Sequence, residues 1–207
     1  MVVIPMKKVL VTGFAPFDGE HINPSYEAIK SIDPKTLPCK LMIMEVPTEF
    51  YTSAKHVIDA MHAFDPDVII LIGQAGGRKE ISVERIAINI DDASIPDNRG
   101  IQPIDHEISV FSQSAYFSTL PIKKLVKTLQ DHGFPSSVSN SAGTYVCNHL
   151  MYSVLHELAM NQSLHAIAGF IHVPYTTEQV KDKPHVFALE LETIRKAIEL
   201  IIFTSIQ

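Results

Sequence analysis

Apolar positions in this chain alternate between two periods. Residues 9–12, apolar up to Thr12, read as a first buried strand. Asn23-Pro24 then offers a helix cap followed by proline at the first helical position, with the helix running to about Ile32. Residues 41–46 read as a second strand. Phe50, Ala54, Val57, Ile58 and Met61 follow at helical spacing. Residues 68–72 are apolar throughout, as expected of a central strand covered on both faces.

The second half continues the alternation. Residues 82–90 read as one strand. Ile122, Leu125, Val126 and Leu129 form a helical stripe opened by Pro121 and closed by Gly133. Residues 136–141 are a weak strand, and Leu150, Met151, Val154, Leu155 and Leu158 make the next helix. Residues 166–173 are a strand. Phe187, Leu191, Ile194, Ile198 and Ile201 form a last amphipathic helix. Strands alternating with helices predict an α/β protein: a three-layer α/β/α sandwich around a twisted, mostly parallel mixed sheet. Some pairs are expected to be antiparallel, because no crossover helix follows residues 81–90. No repeat or linker divides the 207 residues, so residues 1–207 are expected to form one domain.

Composition narrows the function classes. Hydrophobic residues make up 46% and charged residues 19%, the balance of a packed protein rather than a disordered one. The net charge is -6 and the basic residues are scattered, so nothing favours nucleic acid or an anionic membrane as partner. No run approaches the roughly 20 apolar residues that span a bilayer. The N-terminal apolar run is broken by Pro5, Lys7 and Lys8, which makes a poor signal peptide and a cytoplasmic location the expectation. Two cysteines, Cys39 and Cys147, are too few for a secreted disulfide framework.

In an open α/β sheet, ligands bind beyond the carboxyl ends of the strands. Three residues there carry chemistry. Cys147 falls within a turn of a predicted helix start, where backbone N–H groups and the helix dipole favour a thiolate and can hold an oxyanion. It reads equally well as a buried structural cysteine. His172 ends the apolar strand at residues 168–173, a rigid mount for a general base; a structural role fits as well. Glu84 shares a strand face with Ile86, Ile88 and Ile90, so it is expected to be partly buried and to need a partner, whether an imidazolium, Arg85 or Arg78. Together the three suggest a cysteine–histidine–acid arrangement. His149, two residues from Cys147, points elsewhere and is the weaker base. His56, His62, His132, His156 and His165 read as solvated or boundary residues, and Cys39 as structural.

Other signatures fail. There is no Gly-x-Ser-x-Gly elbow, no Walker loop and no His-Glu-x-x-His. Cys147-Asn148-His149 has no Cys-x-x-Cys companion, so no metal or other cofactor is expected. Gly73-Gln74-Ala75-Gly76-Gly77 resembles a phosphate loop by glycine content alone. A nucleoside phosphorylase-like or other small-molecule-binding α/β protein without cysteine catalysis is the alternative it leaves.

The ordered set of motifs resembles the pyroglutamyl peptidase I family of cysteine peptidases. The motifs are Val11-Thr12-Gly13-Phe14 with Pro16-Phe17 and Asn23-Pro24-Ser25, then Val46-Pro47-Thr48, Gly73-Gln74-Ala75-Gly76-Gly77-Arg78 and Glu84-Arg85-Ile86-Ala87-Ile88-Asn89. Ile95-Pro96-Asp97-Asn98, Gln102-Pro103-Ile104-Asp105, the stretch from Ala142 through Cys147-Asn148-His149, and Gly169-Phe170-Ile171-His172-Val173-Pro174-Tyr175 complete it. The resemblance implies a triad of Cys147, His172 and Glu84, no metal, and thioester-mediated release of N-terminal pyroglutamate from peptides. It also implies a homo-oligomer, commonly a tetramer. Phe14 and Phe17 match residues that line the pyroglutamate pocket, with Gln74 beside it and Asn23 shaping it. The chain departs from the family at Ser94, where many bacterial members carry an arginine associated with transition-state stabilisation; Arg99 is the nearby candidate to replace it.

Overall fold

The structure is a computed structural model that describes residues 6–183 and 185–207. The signal-peptide reading of residues 1–5 lies outside the described residues. The elements in chain order are β1 (Lys8–Phe14), α1 (Pro24–Lys30), β2 (Lys40–Val46), α2 (Thr52–Phe64), β3 (Val68–Gln74), β4 (Ile81–Glu84), β5 (Ile86–Ile88), β6 (Ala115–Phe117), α3 (Ile122–Asp131), β7 (Ser136–Ser139), α4 (Val146–Met160), β8 (Ile167–Val173), β9 (Tyr175–Thr176), β10 (Ala188–Leu189) and α5 (Leu191–Ser205). A six-stranded sheet has the order β2-β1-β3-β8-β4-β7. Its pairs are parallel except β4 with β8, so β4 and β7 run against the rest.

Alternation along the strands builds two cores. Val9, Val11, Ile70, Ile72, Val83 and Ile171 face α1, α3 and α5. Leu10, Ile69, Leu71, Ala168 and Phe170 face α2 and α4. All seven residues of β3 are buried, the apolar run at residues 68–72 as expected and Gly73 and Gln74 with it. Helix α1 starts as expected: Asn23 caps it, accepting from the Ser25 N–H, and Pro24 holds the first position. It ends at Lys30, short of Ile32.

Three sequence expectations need correction. Residues 82–90 are not one strand. The chain leaves the main sheet after Glu84, and β5 pairs with β6 in a separate two-stranded ribbon. Arg85 forms the corner, its N–H donating to the Ser139 carbonyl and its own carbonyl accepting from Ser118. An alternating pattern runs through such a corner without interruption, so the sequence does not mark it. Glu84 therefore shares no face with Ile86, Ile88 and Ile90. The last helix begins at Leu191, and Phe187 precedes β10 rather than joining the helix. The short strands β6, β9 and β10 have no sequence signature of their own, being two or three residues long.

Candidate active site

The carboxyl ends of β1, β3 and β8 meet the amino end of α4. His172 pairs with Gly73 of β3 on one side and with Ser82 of β4 on the other. Glu84, two residues past Ser82, points from the same face of the sheet. Because β4 is antiparallel to β8, Glu84 lies deeper in the sheet than His172 and supports the ring from below. His172 Nδ1 meets Glu84 Oε1 at 2.7 Å. His172 is 4% exposed and Glu84 fully buried. Arg78 donates to the same Oε1 at 2.6 Å. Of the partners open to Glu84, histidine and Arg78 are both taken, while Arg85 turns to Asn140.

Cys147 is the second residue of α4. Its N–H is one of the four that a helix leaves unspent at this end. The sulfur comes down over β3 where Gly73 has no side chain: a β-carbon there would lie 2.9 Å from Sγ. Since Gly73 stands beside His172, this brings sulfur and imidazole to one place on the sheet. Nδ1 belongs to Glu84, so Nε2 is the nitrogen left for the sulfur. No hydrogen bond joins Sγ to His172 among the described residues; nucleophile–base contacts commonly tighten only on substrate binding.

Two electrostatic effects set the proton positions. Part of Cys147 reaches the surface, but its sulfur is enclosed, and burial pushes the thiol up to about 12, with the Glu84 charge adding to the rise and Arg78 opposing it. The helix start does not overcome this, so the expected thiolate is absent before attack. Burial likewise holds His172 below the ordinary histidine value, against the pull of Glu84. Glu84 is held below the ordinary carboxylate value: burial pushes it up, but its interaction with His172, the Ser139 hydroxyl and the Arg78 charge together outweigh that. The arrangement is thus a neutral thiol, a neutral imidazole and an ionised carboxylate.

The remaining predicted residues divide. Phe14 is buried, and its ring lies 6.3 Å from Phe170, which in turn is 4.8 Å from the His172 ring. Phe17 packs 6.1 Å from Tyr145 beside the nucleophile. Asn23 spends its side chain within the protein, accepting from Ser25 and donating to the Ala15 carbonyl, so it shapes the loop behind Phe14 and Phe17 rather than presenting a free polar group. Gln74 follows Gly73 and so turns to the other face of the sheet, where its Oε1 accepts from Gln179. Its side chain does not join the wall formed by Phe14. His149 is turned away with both ring nitrogens committed, Nδ1 to Asp91 at 2.7 Å and Nε2 to the Tyr51 N–H at 3.1 Å.

Sequence reasoning missed Tyr145 and Gly73. Tyr145 packs edge-on to Phe50 at 5.4 Å, and its hydroxyl donates to the Pro96 carbonyl. With the bonds between Thr144 and Asp92, this fastens the loop carrying Ser94 to the nucleophile turn on both sides of the serine. Ser94 and Arg99 are both exposed. Arg99 meets Asp97 through its backbone N–H, and no guanidinium contact with the site is formed among the described residues. The glycine loop is no phosphate cradle: the Tyr175 ring covers Gly76 so closely that a β-carbon would lie 2.3 Å from it. A cleft of about 390 Å³ between α2 and α4 is lined by Tyr51, Ile58, His149, Tyr152 and His156 and does not contain the cysteine. Among the described residues no group of three histidine, cysteine or acidic side chains could hold a metal, and no helix is long and apolar enough to cross a membrane.

An α/β sheet with a helix-borne cysteine beside a carboxylate-backed histidine holds the groups that a thiol hydrolase uses. The pyroglutamyl peptidase family model matches residues 7–207. Pyrrolidone-carboxylate peptidase 1 of Caldanaerobacter subterraneus is 51% identical over 195 residues, 94% of this chain and 96% of that protein. A Streptococcus pyogenes pyrrolidone-carboxylate peptidase is 51% identical over 196 residues, 95% of this chain and 91% of its own. The crystal structure of Bacillus amyloliquefaciens pyroglutamyl peptidase I superimposes with a TM-score of 0.92 at 44% identity, covering 96% of each chain. The chain belongs to the pyroglutamyl peptidase family, a family of cysteine peptidases.

Proposed function

We propose that Cys147, His172 and Glu84 carry out the family's reaction in this chain. That reaction is hydrolysis of an N-terminal pyroglutamyl residue from peptides; the phosphorylase-like alternative is not favoured. The observation that carries the residue assignment is the Gly73 gap, which seats the Cys147 sulfur beside a histidine already held by Glu84.

Because thiol and imidazole are both neutral beforehand, His172 acts as a general base during attack. Nε2 takes the Sγ proton as sulfur bonds to the pyroglutamyl carbonyl carbon. The oxyanion lies against N–H groups at the start of α4. Collapse breaks the C–N bond, His172 returns its proton to the leaving amine, and a thioester remains. Water then attacks the thioester with His172 again as base, releasing pyroglutamic acid and the thiol. Glu84 orients the ring and balances the imidazolium. Phe14 and Phe17 pack on the flat uncharged lactam. Gln74 contributes beside the pocket through its loop, and Asn23 by fixing the one opposite.

The test is incubation of reduced protein with a pyroglutamyl amide that fluoresces on cleavage. Release by wild type and loss in Cys147→Ser supports the assignment; full activity in Cys147→Ser ends it. A single domain spanning residues 1–207, cytoplasmic residence and assembly as a homotetramer complete the proposal. The N-terminal apolar run broken by Pro5, Lys7 and Lys8 supports the compartment, the resemblance supports the tetramer, and the exposed Phe111 and Phe117 support self-association. A monomer in sedimentation would remove the tetramer.

A further inference from the structure

The loop between β3 and β4 carries Arg78, whose guanidinium forks. One nitrogen donates to Glu84 Oε1 at 2.6 Å, the other to the Ser141 carbonyl at 3.3 Å. Ser141 opens the turn that leads to Cys147. Its carbonyl also accepts from the Ser139 hydroxyl, and its own hydroxyl accepts from the Gly143 N–H. Arg78 therefore touches the acid of the triad and the backbone of the nucleophile turn at once, and it does so from outside the triad. We propose that Arg78 is a positioning residue of the reaction, locking Glu84 to the turn that delivers Cys147 and setting the charge against which His172 works. This rests on the triad reading above.

The physical case begins with Glu84. A fully buried carboxylate needs a cation. A neutral His172 supplies a hydrogen bond but no charge. If Arg78 were absent, the carboxylate would draw a proton onto His172, giving an imidazolium that can no longer accept one from Cys147. With Arg78 on Oε1, the carboxylate is already compensated and the imidazole stays a base. The charged groups that face His172 are Glu84 and Arg78, and the same two face Cys147. Arg78 lowers the proton affinity of both, so its removal raises His172. The fork matters separately: lysine would keep the charge but offers a single point and no planar pair of donors.

The experiment compares wild type, Arg78→Met and Arg78→Lys. Two quantities are followed against pH: kcat/KM on the fluorogenic pyroglutamyl amide, and the rate at which iodoacetamide alkylates Cys147, read at that residue by mass spectrometry. Removing the charge should move the acid limb of both profiles up by about one pH unit. Arg78→Lys should bring the limb back toward wild type while kcat stays about tenfold low and KM changes little. An unmoved limb in Arg78→Met, even with activity lost, overturns the proposal. Should Arg78→Met fail to fold, Arg78→Lys decides alone: a fall in kcat supports the fork and an unchanged kcat overturns it. The alkylation profile needs no peptide substrate, so it separates this proposal from the functional one, which Cys147→Ser tests.

Discussion

The sulfur of Cys147 occupies the space that a side chain on Gly73 would fill, 2.9 Å from the missing β-carbon. The Phe170 ring closes the same space at 2.8 Å. Gly73→Ala must therefore displace the nucleophile or the aromatic ring against which His172 packs. We expect kcat/KM to fall by at least about a hundredfold, since misplacement by about 1 Å costs that much. Overpacking should also lower stability by about 1–3 kcal/mol. Steady-state kinetics and a thermal melt check both; an alanine variant with wild-type kcat/KM would remove the steric argument.

Glu84→Gln keeps the shape of the acid but not its charge. The imidazolium formed during attack then lacks its counter-ion, and we expect kcat to fall roughly 10²–10⁴-fold. Stability follows a defined pH course. Glu84 is held below its ordinary value of 4.5, so its contribution is fully present above pH 4.5 and is lost as pH falls through the lower folded-state value. The gap in Tm between wild type and Glu84→Gln should be widest above pH 4.5 and narrow in acid. A gap that widens in acid would contradict the sign.

The thiol is protonated at neutral pH because burial pushes it up to about 12. Thiolate absorbance near 240 nm should accordingly be the same in wild type and Cys147→Ser at pH 7. A difference amounting to one thiolate per chain would mean that a preformed thiolate–imidazolium pair exists, and that general-base attack is the wrong sequence of events.

His149 and His172 should separate cleanly. His149 holds the buried Asp91 carboxylate, so His149→Ala leaves that charge unpaired and should cost about 3–5 kcal/mol of stability. Its folded fraction should retain activity within about tenfold at low temperature. His172→Ala should lose at least about a hundredfold in kcat. The reverse ranking in activity would make His149 the base.

Sequence alone marked the layers of this protein and the candidates for its reacting groups. The largely apolar runs at residues 9–12, 68–72 and 166–173 mark buried strands because burial on both faces favours apolar side chains, with Thr12 and His172 the polar residues at their carboxyl ends. Cys147 and His172 were legible as candidates because each ends or begins an element at the side of the sheet where ligands bind, and the ordered motifs that resemble the family favoured them over structural roles. What only tertiary structure decided depends on contacts between residues far apart in the chain. The corner at Arg85, set by bonds to Ser139 and Ser118, took Glu84 away from the isoleucines and placed it under His172. Strand alternation turned Gln74 to the opposite face from Phe14. Burial, a property of the packed molecule, outweighed the helix start and kept the thiol protonated. The gap at Gly73 and the fork of Arg78 belong to the same class: a glycine and an arginine in a loop carry no sign of what they stand beside until the sheet brings it there.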